Sequence, residues 1–158
     1  VTTSPIGRKL IEEFEGFSPS AYKDQNGIPT IAYGHTSGVH MGDTCGVMQA
    51  EQFLAEDLKT AETAINDLVR VPLTQNQFDA LVSLVYNIGR GNFACSTVLR
   101  SLNENQNQAA SAAILMWVKT NGKVNPGLQR RREAERALFL RAPEGPNTEQ
   151  GRGSVSNA

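Results

Sequence analysis

Leu54, Leu58, Ala61, Ile65 and Leu68 recur at alternating steps of four and three, which on a helix of about 3.6 residues per turn makes one apolar stripe. The stripe predicts a long helix over 49–69, ended before Pro72. A shorter helix is predicted near the start, where Ile6, Leu10 and Phe14 share a face. Ser4 stands at its cap, Pro5 at its first helical position and Gly16 at its stop, the usual proline-in, glycine-out asymmetry. Thr74 with Gln77 three residues later is a capping-box signature. It opens a helix through Phe78, Leu81, Val82, Leu84, Val85 and Ile88 that is apolar on most sides and therefore buried. Gly89 and Gly91 interrupt it, and Ser96 caps a short helix carrying Val98, Leu99 and Leu102. The alanine-rich stretch 107–118 is expected to be helical, with Ile114, Trp117 and Val118 turned into the core. After a polar loop over 120–126, Leu128, Ala134, Leu138 and Phe139 mark a last helix.

The segment between the first and second helices breaks this period. Tyr22 to Asp24 leads into a Gln25-Asn26-Gly27 turn, and Ile28 to Tyr33 reads as a returning strand with Pro29 near its start. Val39 to Met41 is expected to add a short third strand before the Gly42-Asp43-Thr44 and Gly46 region disrupts the pattern. The elements thus predict an α+β fold, mainly helical: a small β-hairpin lobe faces a larger helical lobe across a cleft, with the long helix joining them. Residues 1–141 are expected to form this single two-lobed domain. Residues 142–158, PEGPNTEQGRGSVSNA after Ala142, hold almost no apolar side chains and read as a tail without a fold of its own.

At 158 residues, 39% hydrophobic and net charge −1, the chain is long enough for one ordinary domain. None of its apolar runs approaches the roughly 20 residues of a membrane span, and the first ten residues lack the apolar centre of a secretion signal. No stable membrane association is expected of this form, although a chain that begins at Val1 leaves localisation weakly specified. The near-neutral charge argues against a nucleic-acid partner, which would call for a basic face. Basic residues do gather at Arg130, Arg131 and Arg132. Two readings stand: a solvated face pairing with Glu133 and Glu135, or one arginine reaching the cleft to pair with Glu15 or an anionic substrate. Cys45 and Cys95 are expected to be separate thiols. His35, His40, Asp43 and Cys45 match no compact zinc spacing, and His35 is expected to be a hydrogen-bonded structural histidine.

Candidate chemistry concentrates in FEGFSPSAYKDQNGIPTIAYGHT, where Glu15, Asp24 and Thr30 stand nine and six residues apart. Glu15 is the last side chain of the first helix, at the negative end of the helix dipole and flanked by Phe14 and Phe17. Both surroundings suit a carboxyl that holds its proton. Asp24, on a polar turn beside Lys23 and Asn26, is expected to stay ionised. Two carboxyl groups in contrasting surroundings are the equipment of glycoside hydrolysis, and the Thr30 hydroxyl can hold a water against Asp24.

Glu15, Asp24 and Thr30 at this spacing, followed by TIAYGHT and later by NQFDALVSLVYNIGRGNF, resemble the phage-type lysozymes of glycoside hydrolase family 24, the endolysins of tailed bacteriophages, from about Gly7 to Arg141. The resemblance implies a lysozyme-like fold and a muramidase that cleaves the β-1,4 bond between N-acetylmuramic acid and N-acetylglucosamine in bacterial peptidoglycan. It implies Glu15 as the acid, Asp24 as the residue that positions or activates water, Thr30 as its helper, and Asn87 along the sugar cleft. It implies a protein made in the host cytoplasm that acts on the wall, expected to be a monomer and to need neither metal nor organic cofactor. Asn87 also has an ordinary reading as a helix-end capping residue. The family commonly has glycine at the position of Ala32. Two rival functions remain at this stage, a lytic transglycosylase and a non-catalytic wall-binding module. Asp24 with Thr30 argues against the first, and the low aromatic content, 6%, against the second.

Overall fold

The computed structural model describes residues 1–143. Helix α1 (Pro5–Glu15) is followed by strands β1 (Ser18–Lys23) and β2 (Pro29–Ala32), then helices α2 (Val47–Leu68), α3 (Gln75–Ile88), α4 (Arg90–Ala94), α5 (Thr97–Asn103) and α6 (Asn107–Ile114). A minimal hairpin of β3 (Lys119–Thr120) and β4 (Lys123–Val124) precedes α7 (Pro126–Leu140). The sequence-predicted α+β class and two-lobed plan hold.

Each boundary has a local cause. Ser4 Oγ accepts the Gly7 N–H at the start of α1, and Gly16, at φ +72°, ends it. Thr74 and Gln77 form the complete capping box of α3, and the Ser96 hydroxyl accepts the Leu99 N–H at the start of α5. Asn125 caps α7 by accepting from Gly127 and Leu128.

The main core packs α3 against α2, α7 and α1, with Leu58, Phe78, Leu81, Leu84, Phe93, Leu102 and Ile114 among its most buried side chains. A second, small cluster of Ile31, Ala32 and Ala50, flanked by Phe53, Val39 and Cys45, sits under the hairpin. Ala50 of α2 belongs to the small cluster, while Leu54, Leu58, Ala61 and Ile65 belong to the large one. The stripe on α2 therefore ties the two lobes together, as its period predicts.

Three expectations need correction. Ile6 is 42% exposed, and the core face of α1 is carried by Gly7 and Ile11. Gly7 is required there because a Cβ would lie 2.7 Å from Asp79 Cγ. Val39–Met41 forms no strand; the hairpin gains instead a single bridge between Ser20 and Thr44. The 107–118 helix stops at Ile114, and the loop after it contains the β3–β4 pair. The start of the chain is held in place as part of the domain. Thr3 is buried, and its N–H and hydroxyl both donate to Glu62 Oε1, at 2.9 and 2.7 Å.

At the other end Asn76 Nδ2 donates to the carbonyls of Arg141 and Ala142. The expectation for the tail beyond Pro143 falls outside the described residues. Among the described residues no helix is long and apolar enough to cross a membrane.

Candidate active site

The chain leaves α1 at Glu15, turns at Gly16 and runs directly into the β1–β2 hairpin, so the helix end and the hairpin are neighbours by connectivity. At the far end of β2 the backbone closes a tight turn: Ile31 and His35 exchange both N–H···O bonds at 2.9 Å. Ala32 at φ +58° and Gly34 at φ +87° make that closure possible. The special backbone angle at residue 32 is therefore present here, held by alanine. The turn brings Gly34 beside the catalytic candidate. A Cβ on Gly34 would stand 3.5 Å from Glu15 Oε2 and 3.7 Å from the Tyr86 hydroxyl.

Glu15 does not end in apolar cover alone. Arg131 of α7 donates from Nη1 to Glu15 Oε1 at 2.7 Å, and its guanidinium lies 6.0 Å from the centre of the Phe14 ring. Arg131 is 4% exposed and Arg132 fully buried, so the reading of both as a solvated face is overturned. Of the three consecutive arginines, Arg131 is the one that reaches Glu15, and Arg130 stays at the surface.

Behind Arg131 lies a buried polar network. Glu135 accepts from Arg131 Nε at 3.2 Å, from Arg132 Nη1 at 2.6 and 2.8 Å, and from the Ser83 hydroxyl at 2.9 Å. Arg131 Nη2 donates to the Ser83 carbonyl, Arg132 Nε to the Trp117 carbonyl, and Arg132 Nη2 to Asn87 Oδ1. Burial pushes the Glu135 carboxyl up, and Arg132 and Arg131 oppose it. Burial also lowers Arg132, with Glu135 opposing. Arg131 Nε, Arg132 Nη1 and the Ser83 hydroxyl converge on one carboxylate, so Glu135 is ionised and the pairs compensate one another. Glu135 thereby fixes Arg131, and Arg131 fixes Glu15.

On the other side Tyr86 donates to the Tyr33 carbonyl at 3.2 Å, and burial, then Glu15 and Asp57, hold its phenol well above the ordinary range. It stays a neutral donor. His35 is the structural histidine expected: Nδ1 is 2.8 Å from Asp57 Oδ2 and its ring stacks on Phe53 at 4.0 Å. Cys45 and Cys95 are unpaired thiols.

Asp24 and Thr30 sit where the sequence puts them, on the hairpin turn and on β2. Asp24 Oδ1 accepts the N–H groups of Asn26 and Ile28 at 2.8 and 2.9 Å, which fixes the carboxylate while closing the turn. Thr30 is buried, and its hydroxyl donates to the Ile28 carbonyl at 2.9 Å. Its lone pairs remain acceptors. Glu15 and Asn87 share a cavity of about 500 Å³ with Glu13, Phe14, Asn125, Arg130 and Arg131; Asp24 and Thr30 are not in its lining. Asn87 is no helix cap, because its side-chain oxygen is taken by Arg132.

Sequence reasoning left the choice of arginine open and missed Arg132, Glu135, Ser83, Tyr86 and Gly34. One signal was available. Ser83 sits amid the apolar run of α3, and a buried hydroxyl there implies a polar partner from a facing helix.

The arrangement holds one helix-end carboxyl rigidly against an open cavity, with a turn carboxylate on the adjoining hairpin. The phage lysozyme family model matches residues 12–135 of the chain. The endolysin of Salmonella phage P22 is 51% identical over 142 residues, covering 87% of this chain and 97% of that one. A crystal structure of a P22 lysozyme mutant superposes with a TM-score of 0.84 at 46% identity, covering 89% of this chain and 99% of the other. The muramidase domain of SpmX from Asticaccaulis excentricus does so with a TM-score of 0.85 at 41% identity, with the same coverage. A chain whose matched region spans Glu15, the hairpin and the arginine network, at this identity and overlap, belongs to the phage lysozyme family.

Proposed function

We propose that Glu15 is the proton donor of a muramidase and that Asp24, with Thr30, delivers the attacking water. Membership of the phage lysozyme family fixes the reaction class: the protein is a glycoside hydrolase that acts on bacterial peptidoglycan. The bond cut is the β-1,4 link between N-acetylmuramic acid and N-acetylglucosamine, and the biological outcome is lysis of the host. The observation that carries the assignment is the fixed Glu15 carboxyl. Oε1 is occupied by a guanidinium, which can only donate, so the transferable proton belongs on Oε2. Oε2 is the oxygen beside Gly34, where the missing side chain leaves room for a glycosidic oxygen to approach. As that oxygen leaves and the sugar develops oxocarbenium character, water held by Asp24 and Thr30 attacks the opposite face.

Residues 1–141 act as one catalytic domain and the protein works as a monomer on a polymeric substrate, with no nucleic-acid partner and no cofactor. It is made in the host cytoplasm and acts at the wall. Turbidity of purified walls tests the core of the proposal: the wild-type chain clears them and Glu15→Gln does not. Mass spectrometry of the released fragments tests the chemistry, since hydrolysis leaves reducing ends and transglycosylation leaves anhydro ends one water lighter. Lysis by Glu15→Gln, or anhydro products from the wild type, would overturn it.

A further inference from the structure

The side of the cavity built by α3 and the start of α7 offers hydrogen-bond donors with their acceptors already consumed. Asn87 Oδ1 accepts from Arg132 Nη2. A guanidinium has no acceptor, so the amide must keep its oxygen inward and its Nδ2 hydrogens outward. Arg132 cannot release it cheaply, because the guanidinium is buried and tied to the Trp117 carbonyl at 2.8 Å and to both oxygens of Glu135. No acceptor among the described residues takes a hydrogen from Asn87 Nδ2. Asn125 repeats the pattern by a different route. Its Oδ1 caps α7, accepting from Gly127 and Leu128 at 2.9 and 3.1 Å, and one Nδ2 hydrogen reaches Thr120 Oγ1 at 3.4 Å. The exposed Arg130 guanidinium adds further donors to the same lining.

We propose that this wall is a donor-only surface that selects carbonyl or carboxylate oxygens on the glycan, with Arg132 as the positioning residue that sets the polarity of Asn87. The inference rests on the reading of the cavity as part of the sugar cleft. The oxygen has two possible sources, the carbonyl of a sugar acetamido group or a carboxylate of the peptide stem, and either oxygen accepts from the amide and guanidinium donors of this wall.

The test inverts the polarity. In Asn87→Asp one oxygen still accepts from Arg132, while the other offers an acceptor where the amide offered donors. Binding is measured calorimetrically in the Glu15→Gln background, in high salt to screen general charge attraction. The ligands are an N-acetylglucosamine hexamer, its de-N-acetylated counterpart, and peptidoglycan strands with and without stems. Asn87→Asp is expected to weaken binding of acceptor-bearing ligands about tenfold, as unpaired polar groups do at a matched site, and to strengthen binding of the de-N-acetylated ligand, whose ammonium groups donate. Loss with the hexamer and stem-free strands assigns the oxygen to acetamido groups; loss confined to stem-bearing strands assigns it to a stem carboxylate. In the active chain the same substitution should raise KM and leave kcat within about threefold. Asn125→Ser, which keeps a capping oxygen and removes the amide donors, should weaken binding without reversing preference.

A merely structural role would lower thermal stability and leave ligand preference as in the parent. Should Asn87→Asp not fold, Asn87→Ala together with Asn125→Ser carries the test. Parent-like affinity in both Asn87 and Asn125 variants overturns the inference while leaving wall lysis by the wild type, and hence the function, untouched.

Discussion

Ala32 shows how competing terms of similar size can settle on an unusual residue. A left-handed backbone costs alanine roughly 1–2 kcal/mol. Replacing it by glycine relieves that, but frees the unfolded chain by about 0.4–1 kcal/mol and removes one buried methyl worth about 0.8 kcal/mol. Ala32 is fully buried at φ +58°, so both losses apply. Ala32→Gly is therefore expected to leave stability within about 1 kcal/mol of the parent. Ala32→Val, β-branched and at the same angle, should lose more than about 2 kcal/mol. Denaturant titration of the two variants checks this, and a valine chain as stable as the parent would contradict the conformation. Glu15 is a second balance. The helix-end effect alone favours Glu15→Gln by about 0.3–1 kcal/mol. Against it stands the Arg131 contact at 2.7 Å, where trading a charged acceptor for a neutral one loses about 1 kcal/mol. Glu15→Gln is expected to be neutral to slightly destabilising in thermal unfolding; a clear gain would mean that the Arg131 pair contributes little.

Where α1 meets α2, the charge arrangement gives a pH dependence. Burial raises the Glu12 carboxyl, Glu51 raises it further and Arg8 opposes. Because the folded state binds this proton more tightly than the unfolded one, the stability it confers is full at acid pH and is lost as pH rises through the folded value. Glu12→Gln removes that loss. Its melting temperature should exceed the parent's at pH 7, and the difference should shrink as the pH falls below about 4. A gain that persists at acid pH would point to another cause. Elements of this kind were legible to different depths. Caps were read correctly at Ser4, Thr74 and Ser96 because a capping side chain and its partner lie within four residues. The α2 stripe was read because five positions repeat. Ile6 was misassigned because Gly7, the close-contact residue, is invisible to an apolar period, so the buried face is rotated toward Ile11. Helix α7 was misread for a stronger reason: its buried face is made of Arg131, Arg132 and Glu135, and a polar helix face looks solvated until its partners on α1 and α3 are known. Glu15 was legible as a helix-end carboxyl, but the network that fixes it depends on contacts up to 116 positions apart.

At the scale of the molecule, the ends of the sequence and the two lobes decide what the site can do. Thr3 is pinned to Glu62 and Ser4 to Asp79, so the first residues clasp α2 and α3 together. Deleting Val1–Thr3 removes two hydrogen bonds to a carboxylate, about 2 kcal/mol, or a melting temperature lower by roughly 5 °C for a chain of this size. Activity per folded molecule at 25 °C should persist, since none of these residues touches Glu15; loss of turnover in a folded truncation would show that the clasp orients α1. The two lobes place the two carboxyl groups on different elements, Glu15 at the end of a helix pinned by α7 and Asp24 on a turn held by its own backbone bonds. Neither is free to approach the other. We propose that a water fits between them, as in an inverting glycosidase, whose carboxyls stand roughly 6.5–9.5 Å apart, whereas a retaining pair stands about 5–5.5 Å apart. Thr30 supports the same route. Its proton is committed to the Ile28 carbonyl, so toward a water it acts as an acceptor, orienting the nucleophile without competing with it for Asp24. Hydrolysis of the β-linked glycan is therefore expected to release the α-anomer first. NMR of freshly formed product, recorded before mutarotation, reads this directly. A β-anomer appearing first would mean that a carboxylate, not water, attacks the sugar, and would reassign Asp24 from water carrier to nucleophile even with Glu15 retained as the acid.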